Sequence, residues 1–185
     1  MKRQLLILPI ILLLLSPAFG QKRSSEIGVK LINEIEDRGT YAPGIGVQAL
    51  YMITNHSGIE SGFYYKLNPQ YYMESYSLNN YTTKRFNEKV IQLPLLYRFE
   101  SRLVNFTAGF ALEYFINMKE FKKTLPAAYG DESLQRLTVV PTISISKCWY
   151  FSPSWGVEPE LRASAPIPQG GVGIGINLSL RKIIF

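Results

Sequence analysis

Apolar and polar residues alternate with a period of two over most of the chain beyond residue 20, a pattern typical of β-strands. The alternation is clearest over Leu103–Ile116, Leu137–Lys147 and Val172–Arg181. Five noisier segments repeat it, at Ile27–Glu34, Gly44–Ile53, Ile59–Leu67, Ile91–Tyr97 and Trp155–Arg162. Segments of about ten residues have the length of a strand that crosses a bilayer at a tilt. The pattern therefore predicts eight antiparallel strands.

Short and longer connections alternate along the chain. The tight ones are Asn55–Ser57, Glu100–Arg102 and Phe151–Ser154, and the longer ones are Asp37–Ala42, Asn68–Lys89, Asn117–Arg136 and Ala165–Gly170. Outer-membrane barrels sort their connections in this way, with short periplasmic turns and larger outer loops. The predicted fold is therefore an all-β, eight-stranded antiparallel up-and-down transmembrane β-barrel, with a short helical piece allowed within Leu125–Leu134.

The polar faces of these strands carry glycine, serine and threonine, with few long charged side chains. A water-facing strand normally carries more lysine and glutamate, whereas small residues suit the crowded interior of a narrow barrel. The charges that do occur have mixed sign, and buried charges persist when they are paired. We therefore predict a lumen ion-pair network made of Lys30, Glu34, Glu60, Lys66, Glu113, Glu158, Glu160, Arg162 and Arg181. The alternative is a secreted soluble lipocalin-like barrel, in which the polar face meets water and an apolar ligand binds inside.

The first twenty residues have the features of a signal peptide. Lys2 and Arg3 precede an apolar run over Leu5–Leu15, and Ala18-Phe19-Gly20 supplies small residues for cleavage before Gln21. The run is too short for a spanning helix, although a retained anchor is the alternative. We expect a signal peptide over 1–20 and one barrel domain over 21–185. Cleavage would remove Lys2 and Arg3 and lower the formal charge from +6 to +4. An exported protein with this charge is not expected to bind nucleic acid.

Aromatic residues concentrate near the predicted short turns. They are Tyr97, Phe99, Trp149, Tyr150, Phe151, Trp155 and the terminal Phe185. This distribution is typical of the interfacial girdle of a membrane barrel, where amphipathic rings lie at headgroup depth. The alternative is that aromatic residues are common in strands generally.

The long connection Asn68–Lys89 is the best candidate for binding a protein partner. It is rich in aromatic side chains, which give contact area at low entropic cost: Tyr71, Tyr72, Tyr76, Tyr81 and Phe86. These rings could equally pack on one another or lie at the outer headgroup level. The second long connection carries Lys119, Lys122 and Lys123, which suit anionic lipopolysaccharide groups or simple solubility.

No constellation in the sequence favours catalysis or a cofactor. The single histidine, His56, falls in a tight turn, and there is no His/Cys cluster for a metal. Glu158 and Glu160 have the residue types of an acid/base pair, but their spacing inside a narrow barrel favours pairing with Arg162. The glycines of 170–175 alternate along a strand with no helix following, so they predict close packing and not a nucleotide loop. The one cysteine, Cys148, excludes an intramolecular disulfide.

The chain resembles the small outer-membrane β-barrel proteins of Bacteroidota, the group of porin-family barrels that includes PorT-like proteins. The resemblance covers the mature chain mostly as a pattern. It is most specific at Val90–Phe99, a strand with an internal proline, and at Asn105–Phe110, which runs into an Ala-Gly pair. A terminal Phe resembles the signal read by the outer-membrane barrel insertion machinery, although Arg181-Lys182 departs from the expected alternation and suggests a bulge or an early strand end. The resemblance implies an integral barrel and supplies no catalytic residues.

These observations predict a non-enzymatic protein of the bacterial outer membrane, in contact with outer-membrane lipid and lipopolysaccharide. Its role would be that of a structural or docking element or a secretion accessory. A narrow channel for ions or very small solutes is the alternative, although an eight-stranded interior is only wide enough for its own side chains.

Overall fold

The computed structural model describes residues 25–36, 39–77, 80–117, 136–167 and 171–184, with the backbone alone described for 70–85. The described chain is a single sheet of β-strands, with bounds as follows: β1 Ser25–Glu36, β2 Thr40–Met52, β3 Ser57–Ser77, β4 Asn80–Glu100, β5 Asn105–Phe115, β6 Leu137–Ser146, β7 Trp149–Tyr150, β8 Trp155–Ser164 and β9 Gly173–Ile184. The described residues contain no helix long and apolar enough to cross a membrane.

All strand pairings are antiparallel, neighbours in the chain pair with each other except β6 and β7, and the sheet closes on itself. The order is β6-β5-β4-β3-β2-β1-β9-β8-β7, and β6 pairs with β8 to complete the ring. The two-residue β7 is an appendage that pairs with the start of β8. The remaining eight strands form a closed antiparallel up-and-down β-barrel, which confirms the fold predicted from the alternation.

The prediction of a long irregular loop over Asn68–Lys89 is wrong. Strands β3 and β4 continue through this segment as a hairpin, paired from Leu67↔Lys89 to Ser77↔Asn80. Pairing of β3 with β2 stops at Lys66, and pairing of β4 with β5 stops at Val90. Within the described residues, the hairpin therefore extends past the barrel as a two-stranded ribbon, roughly 30 Å long at the usual rise per residue.

Alternate residues point into the lumen and out of the barrel. In β6 the alternation is complete: Thr138, Val140, Thr142, Ser144 and Ser146 are buried, and the residues between them are exposed. Outward positions are large and apolar, for example Ile176 at 68% and Ile143 at 62% exposed. Inward positions hold most of the charge. The distribution of apolar and charged residues is therefore the reverse of that in a water-soluble protein.

The expected disruption at Arg181-Lys182 does not occur. Strand β9 keeps one register from Ile174 to Ile184 against β1 and from Gly173 to Lys182 against β8. Arg181 points inward and is buried, and Lys182 points outward. The two basic residues therefore obey the alternation, because one is a lumen residue and the other lies on the outer face.

Candidate functional site

The lumen is filled by ionised side chains of both signs. Ten of the described charged residues are at most 4% exposed, and they comprise five acids and five bases: Glu26, Glu34, Glu60, Glu158, Glu160, Lys30, Lys66, Arg98, Arg162 and Arg181. Isolated charges in such a place would be costly, because taking an ion out of water is repaid only by well-placed partners. The equal numbers of acids and bases in this set allow each charge to be paired.

Glu60 of β3 is the centre of the network near the short turns. Its Oε1 accepts a hydrogen bond from Lys30 Nζ at 3.2 Å. Its Oε2 accepts from Arg181 Nη2 at 2.8 Å and from Arg98 Nη1 at 3.2 Å. Glu158 joins the same two arginines, with Arg98 Nη2 at 2.5 Å from its Oε1 and Arg181 Nε beside its Oε2. One carboxylate thus joins four strands across the lumen.

Lys66 is the centre of the network near the opposite end. Its ammonium lies 2.7 Å from Glu34, 3.3 Å from Glu113 and 3.4 Å from Glu36. Glu113 also accepts a hydrogen bond from the Gln92 amide at 2.7 Å.

Arg162 and Glu160 join the two centres. Glu160 lies 2.8 Å from Lys30 and 2.7 Å from Arg162 Nε, and Arg162 Nη1 lies 3.9 Å from Glu34. The ion pairs therefore run without a break from Glu60 to Lys66 along the lumen.

The Tyr64 ring is the largest uncharged side chain buried in the lumen. It lies between the two centres, with Lys30 Nζ at 5.6 Å and the Arg162 guanidinium at 5.8 Å from its centroid, within cation–π distance. Gly46, its partner across β2 and β3, makes room for it: a Cβ on Gly46 would overlap the ring and backbone of Tyr64.

The structure brings all nine residues of the predicted lumen set into ion pairs. Sequence reasoning missed Arg98, which contacts Glu60, Glu158 and Glu100. Its position between the outward Tyr97 and Phe99 places it on the inner face, so the alternation alone was sufficient to find it. Glu26 and Glu36 were also missed, at the two ends of β1, where they pair with Arg181 and Lys66.

Of the other residues considered for chemistry, His56 lies outside the lumen network, whereas Cys148 and two glycines lie beside it. His56 is exposed in the β2–β3 turn, where its Nδ1 is 3.2 Å from the Glu100 carbonyl oxygen and its ring packs against Phe99. Cys148 follows β6 and is a free thiol, and burial raises its pKa to about 11. Gly173 and Gly175 point inward, Gly175 against Glu34. The described residues contain no group of three or more His, Cys, Asp or Glu able to hold a metal.

Much of the predicted outer surface lies beyond what the structure describes. Tyr71, Tyr72, Tyr76 and Tyr81 lie in the hairpin, where the backbone alone is described; Phe86 is half-buried in β4. Residues 1–20, the lysines at 119, 122 and 123, the 125–134 segment and Phe185 lie outside the described residues.

An exposed aromatic band surrounds the barrel at its short-turn end. Five of its members were singled out in the sequence and one was not: Tyr97, Phe99, Trp149, Phe151, Trp155 and Tyr51. Tyr150 was also expected in the band, but it pairs with the inward-facing Gly156, and its hydroxyl donates to the lumen residue Glu26. The Tyr97 hydroxyl in this band is hydrogen-bonded to Ser57 Oγ at 2.8 Å. Apolar rings with hydrogen-bonded tips are typical of the boundary between an apolar phase and water.

No protein-family model matches the chain, and no curated protein matches its sequence. Solved structures are similar to it in the path of the chain. The N-terminal β-barrel domain of Pseudomonas aeruginosa OprF is 11% identical with a TM-score of 0.48, over 84% of this chain and 96% of that one. The outer membrane protein Ail of Yersinia pestis, solved in a phospholipid bilayer nanodisc, is 11% identical with a TM-score of 0.48, over 89% and 100%. Neisserial surface protein A is 12% identical with a TM-score of 0.47, over 86% and 96%.

Proposed function

We propose that the chain is a non-enzymatic, integral barrel of the bacterial outer membrane that holds a docking hairpin on the outer side of the cell. The observation that carries the proposal is the inverted polarity of the barrel. Large aliphatic side chains such as Leu161 and Val47 are more than half exposed on the outer face, whereas Arg98, Arg162 and Arg181 are buried inside. Such a surface in water would be a very large apolar patch, whereas in a bilayer it matches the surrounding solvent.

A closed lumen is the second part of the proposal. The side chains of Arg98, Arg162, Arg181 and Tyr64 are almost completely buried, and Arg98 of β4 pairs with Glu158 of β8 across the lumen. Eight strands leave room for side chains but little more. These contacts favour a plugged barrel over the alternative of a narrow ion channel.

The docking role is assigned to the hairpin formed by β3 and β4 beyond Lys66 and Val90. It extends from the end opposite the short turns, which would face outward if the short turns lie in the periplasm. Tyr71 pairs with Arg85 and Tyr72 with Lys84 across the two strands. Aromatic and basic residues in a projecting ribbon are suited to a protein partner with acidic or apolar surface.

Export, assembly and family remain parts of the proposal. A signal peptide over residues 1–20 would direct the chain across the inner membrane, and the outer-membrane insertion machinery would place the barrel. Lys119, Lys122 and Lys123 would meet lipopolysaccharide phosphates at the outer surface. The pattern resemblance to PorT-like barrels of Bacteroidota is compatible with a secretion accessory or a structural element.

Cell fractionation and gel migration test the membrane assignment. We expect the processed protein in the outer-membrane fraction, needing detergent for release, and migrating faster before boiling than after it. Release as a water-soluble monomer would contradict the assignment and favour the secreted lipocalin-like alternative. Recordings in planar bilayers separate the plugged barrel from the channel, since the plugged barrel gives no reproducible unit conductance.

Replacing residues 70–85 with a two-residue Asn-Gly turn tests the docking role. The barrel pairings end at Lys66 and Val90, so the shortened protein should keep its heat-dependent migration and its denaturant midpoint. Crosslinking to a surface partner in whole cells should be lost. The matched control replaces only the tyrosines at 71, 72, 76 and 81 by serine; a crosslinking pattern unchanged in both variants would contradict the role.

A further inference from the structure

An apolar groove of about 680 Å³ crosses the outer face of the barrel near its short-turn end. It runs over β9, β1, β2 and β3. Its wall is formed by Ile27, Val29, Val47, Phe63 and Leu180, and one end is bounded by Trp155 and Lys182. The volume is within the range of ligand-binding sites.

Two small outward residues create the groove. Strand register places Trp155, Lys182, Ile27, Ala49 and Ser61 side by side in one row across the sheet. Large residues occupy the next row, so the short side chains of Ala49 and Ser61 leave a depression. The Ser61 hydroxyl donates to the Pro94 carbonyl oxygen at 2.8 Å, so it is satisfied without a ligand. The floor is therefore suited to hydrocarbon.

The charge of the groove is positive and confined to one end. Lys182 points outward with its ammonium 5.6 Å from the centre of the Trp155 ring, and it forms no ion pair with any carboxylate of the described residues. No residue that lines the groove is acidic. Trp155 belongs to the aromatic band, which marks headgroup depth in a membrane barrel. An anion at Lys182 would thus lie at the level of lipid phosphates.

We propose that this groove binds one anionic glycerophospholipid, with an acyl chain along Ala49 and Ser61 and the phosphate at Lys182. The inference rests on the proposed membrane location. A second copy of the chain is the less suitable occupant, because a two-fold contact through this face would bring together two Lys182 ammonium groups with no acidic groove residue between them.

Quenching of Trp155 fluorescence by brominated lipids tests the proposal. The chain has two tryptophans, so Trp149→Phe leaves Trp155 as the only reporter. The protein is reconstituted in phosphatidylcholine vesicles with small fractions of brominated phosphatidylglycerol or brominated phosphatidylcholine. We expect phosphatidylglycerol to be preferred roughly fivefold, as expected for one lysine beside an anionic group.

Three further variants separate the charge from the shape of the groove. Lys182→Gln should abolish the preference for phosphatidylglycerol over phosphatidylcholine. Lys147→Gln, at the same end of the barrel, should leave this preference unchanged. Ala49→Leu fills the depression and should weaken quenching by both lipids. Ala108→Leu, the same change on the outer face of β5, should have no effect.

Equal quenching by the two lipids would overturn the proposal while leaving the membrane barrel intact. The same holds if Ala49→Leu changes the oligomeric mass in detergent with the lipid preference unaltered, which would assign the groove to a second copy. Quenching by neither lipid would instead contradict the proposed membrane location itself.

Discussion

Replacing Glu60 by glutamine should be among the most damaging conservative changes in the barrel. The Glu60 carboxylate is fully buried and contacts Lys30, Arg98 and Arg181 at 3.2, 3.2 and 2.8 Å. Glutamine keeps the shape but removes the charge, so three cations lose a shared partner. Breaking a buried pair by removing one member costs about 3–5 kcal/mol, because the remaining charge is uncompensated. We expect a loss in the free energy of unfolding of that size.

The assay is urea unfolding of the protein in phospholipid vesicles, followed by tryptophan fluorescence and by heat-dependent gel migration. Glu100→Gln is the matched control. Its carboxylate contacts only Arg98 among the described ion pairs and its side chain is 26% exposed, so the loss should stay below about 1 kcal/mol. The double variant Glu60→Gln with Lys30→Gln should lose less free energy of unfolding than the sum of the two single variants, by about 1 kcal/mol or more. The reason is that the two residues are in contact.

A free energy of unfolding for Glu60→Gln within about 0.5 kcal/mol of the unaltered protein would refute the reasoning. It would mean that water enters the lumen freely and screens the charges. A fully additive double variant would likewise show that Glu60 and Lys30 do not interact.

Three other perturbations test separate parts of the structure. Leu178→Arg, on the outer face at mid-height, should cost about 2–4 kcal/mol in vesicles, and an unchanged urea midpoint would argue against lipid at this face. Gly46→Ala should cost roughly 1–3 kcal/mol through overlap with the Tyr64 ring and the β3 backbone. The cost should be smaller in a Tyr64→Ala background, where only the backbone overlap remains, and equal losses in both backgrounds would contradict the ring contact. Burial raises the pKa of Cys148 to about 11. The rate of its alkylation by iodoacetamide at pH 8 should therefore be on the order of tenfold or more below that of free cysteine, and this rate should keep rising beyond pH 10. A rate that levels off near pH 9 would show an ordinary thiol.

The alternation of apolar and polar residues was sufficient to predict the closed eight-stranded fold, because side-chain direction in a strand has a period of two. Thr138, Thr142 and Ser144 read as an inner face and are inside. The same rule, applied strictly, places Arg98 and Arg181 in the lumen. Arg181 was predicted there, whereas Arg98 was missed because it lies in an aromatic stretch.

The extent of the hairpin could not be predicted from alternation. Beyond Lys66 and Val90 the two strands pair with each other and no longer with β2 or β5, so no neighbouring strand sets an inner and an outer face. Polar residues such as Asn68 and Glu88 therefore resembled a loop, although they pair with each other in the ribbon. The outer groove was also hidden, since the depression depends on Ala49 and Ser61 being side by side, which only the register reveals.

The central claim, that the apolar outer face meets lipid and the charged face is enclosed, can be measured directly by methyl NMR in lipid nanodiscs. The account predicts magnetisation transfer from acyl-chain protons to the methyl groups of Ile143 and Leu178, and none to the lumen methyl groups of Ile32 and Leu96. Transfer from water to Ile143 and Leu178, with none from lipid, would contradict it.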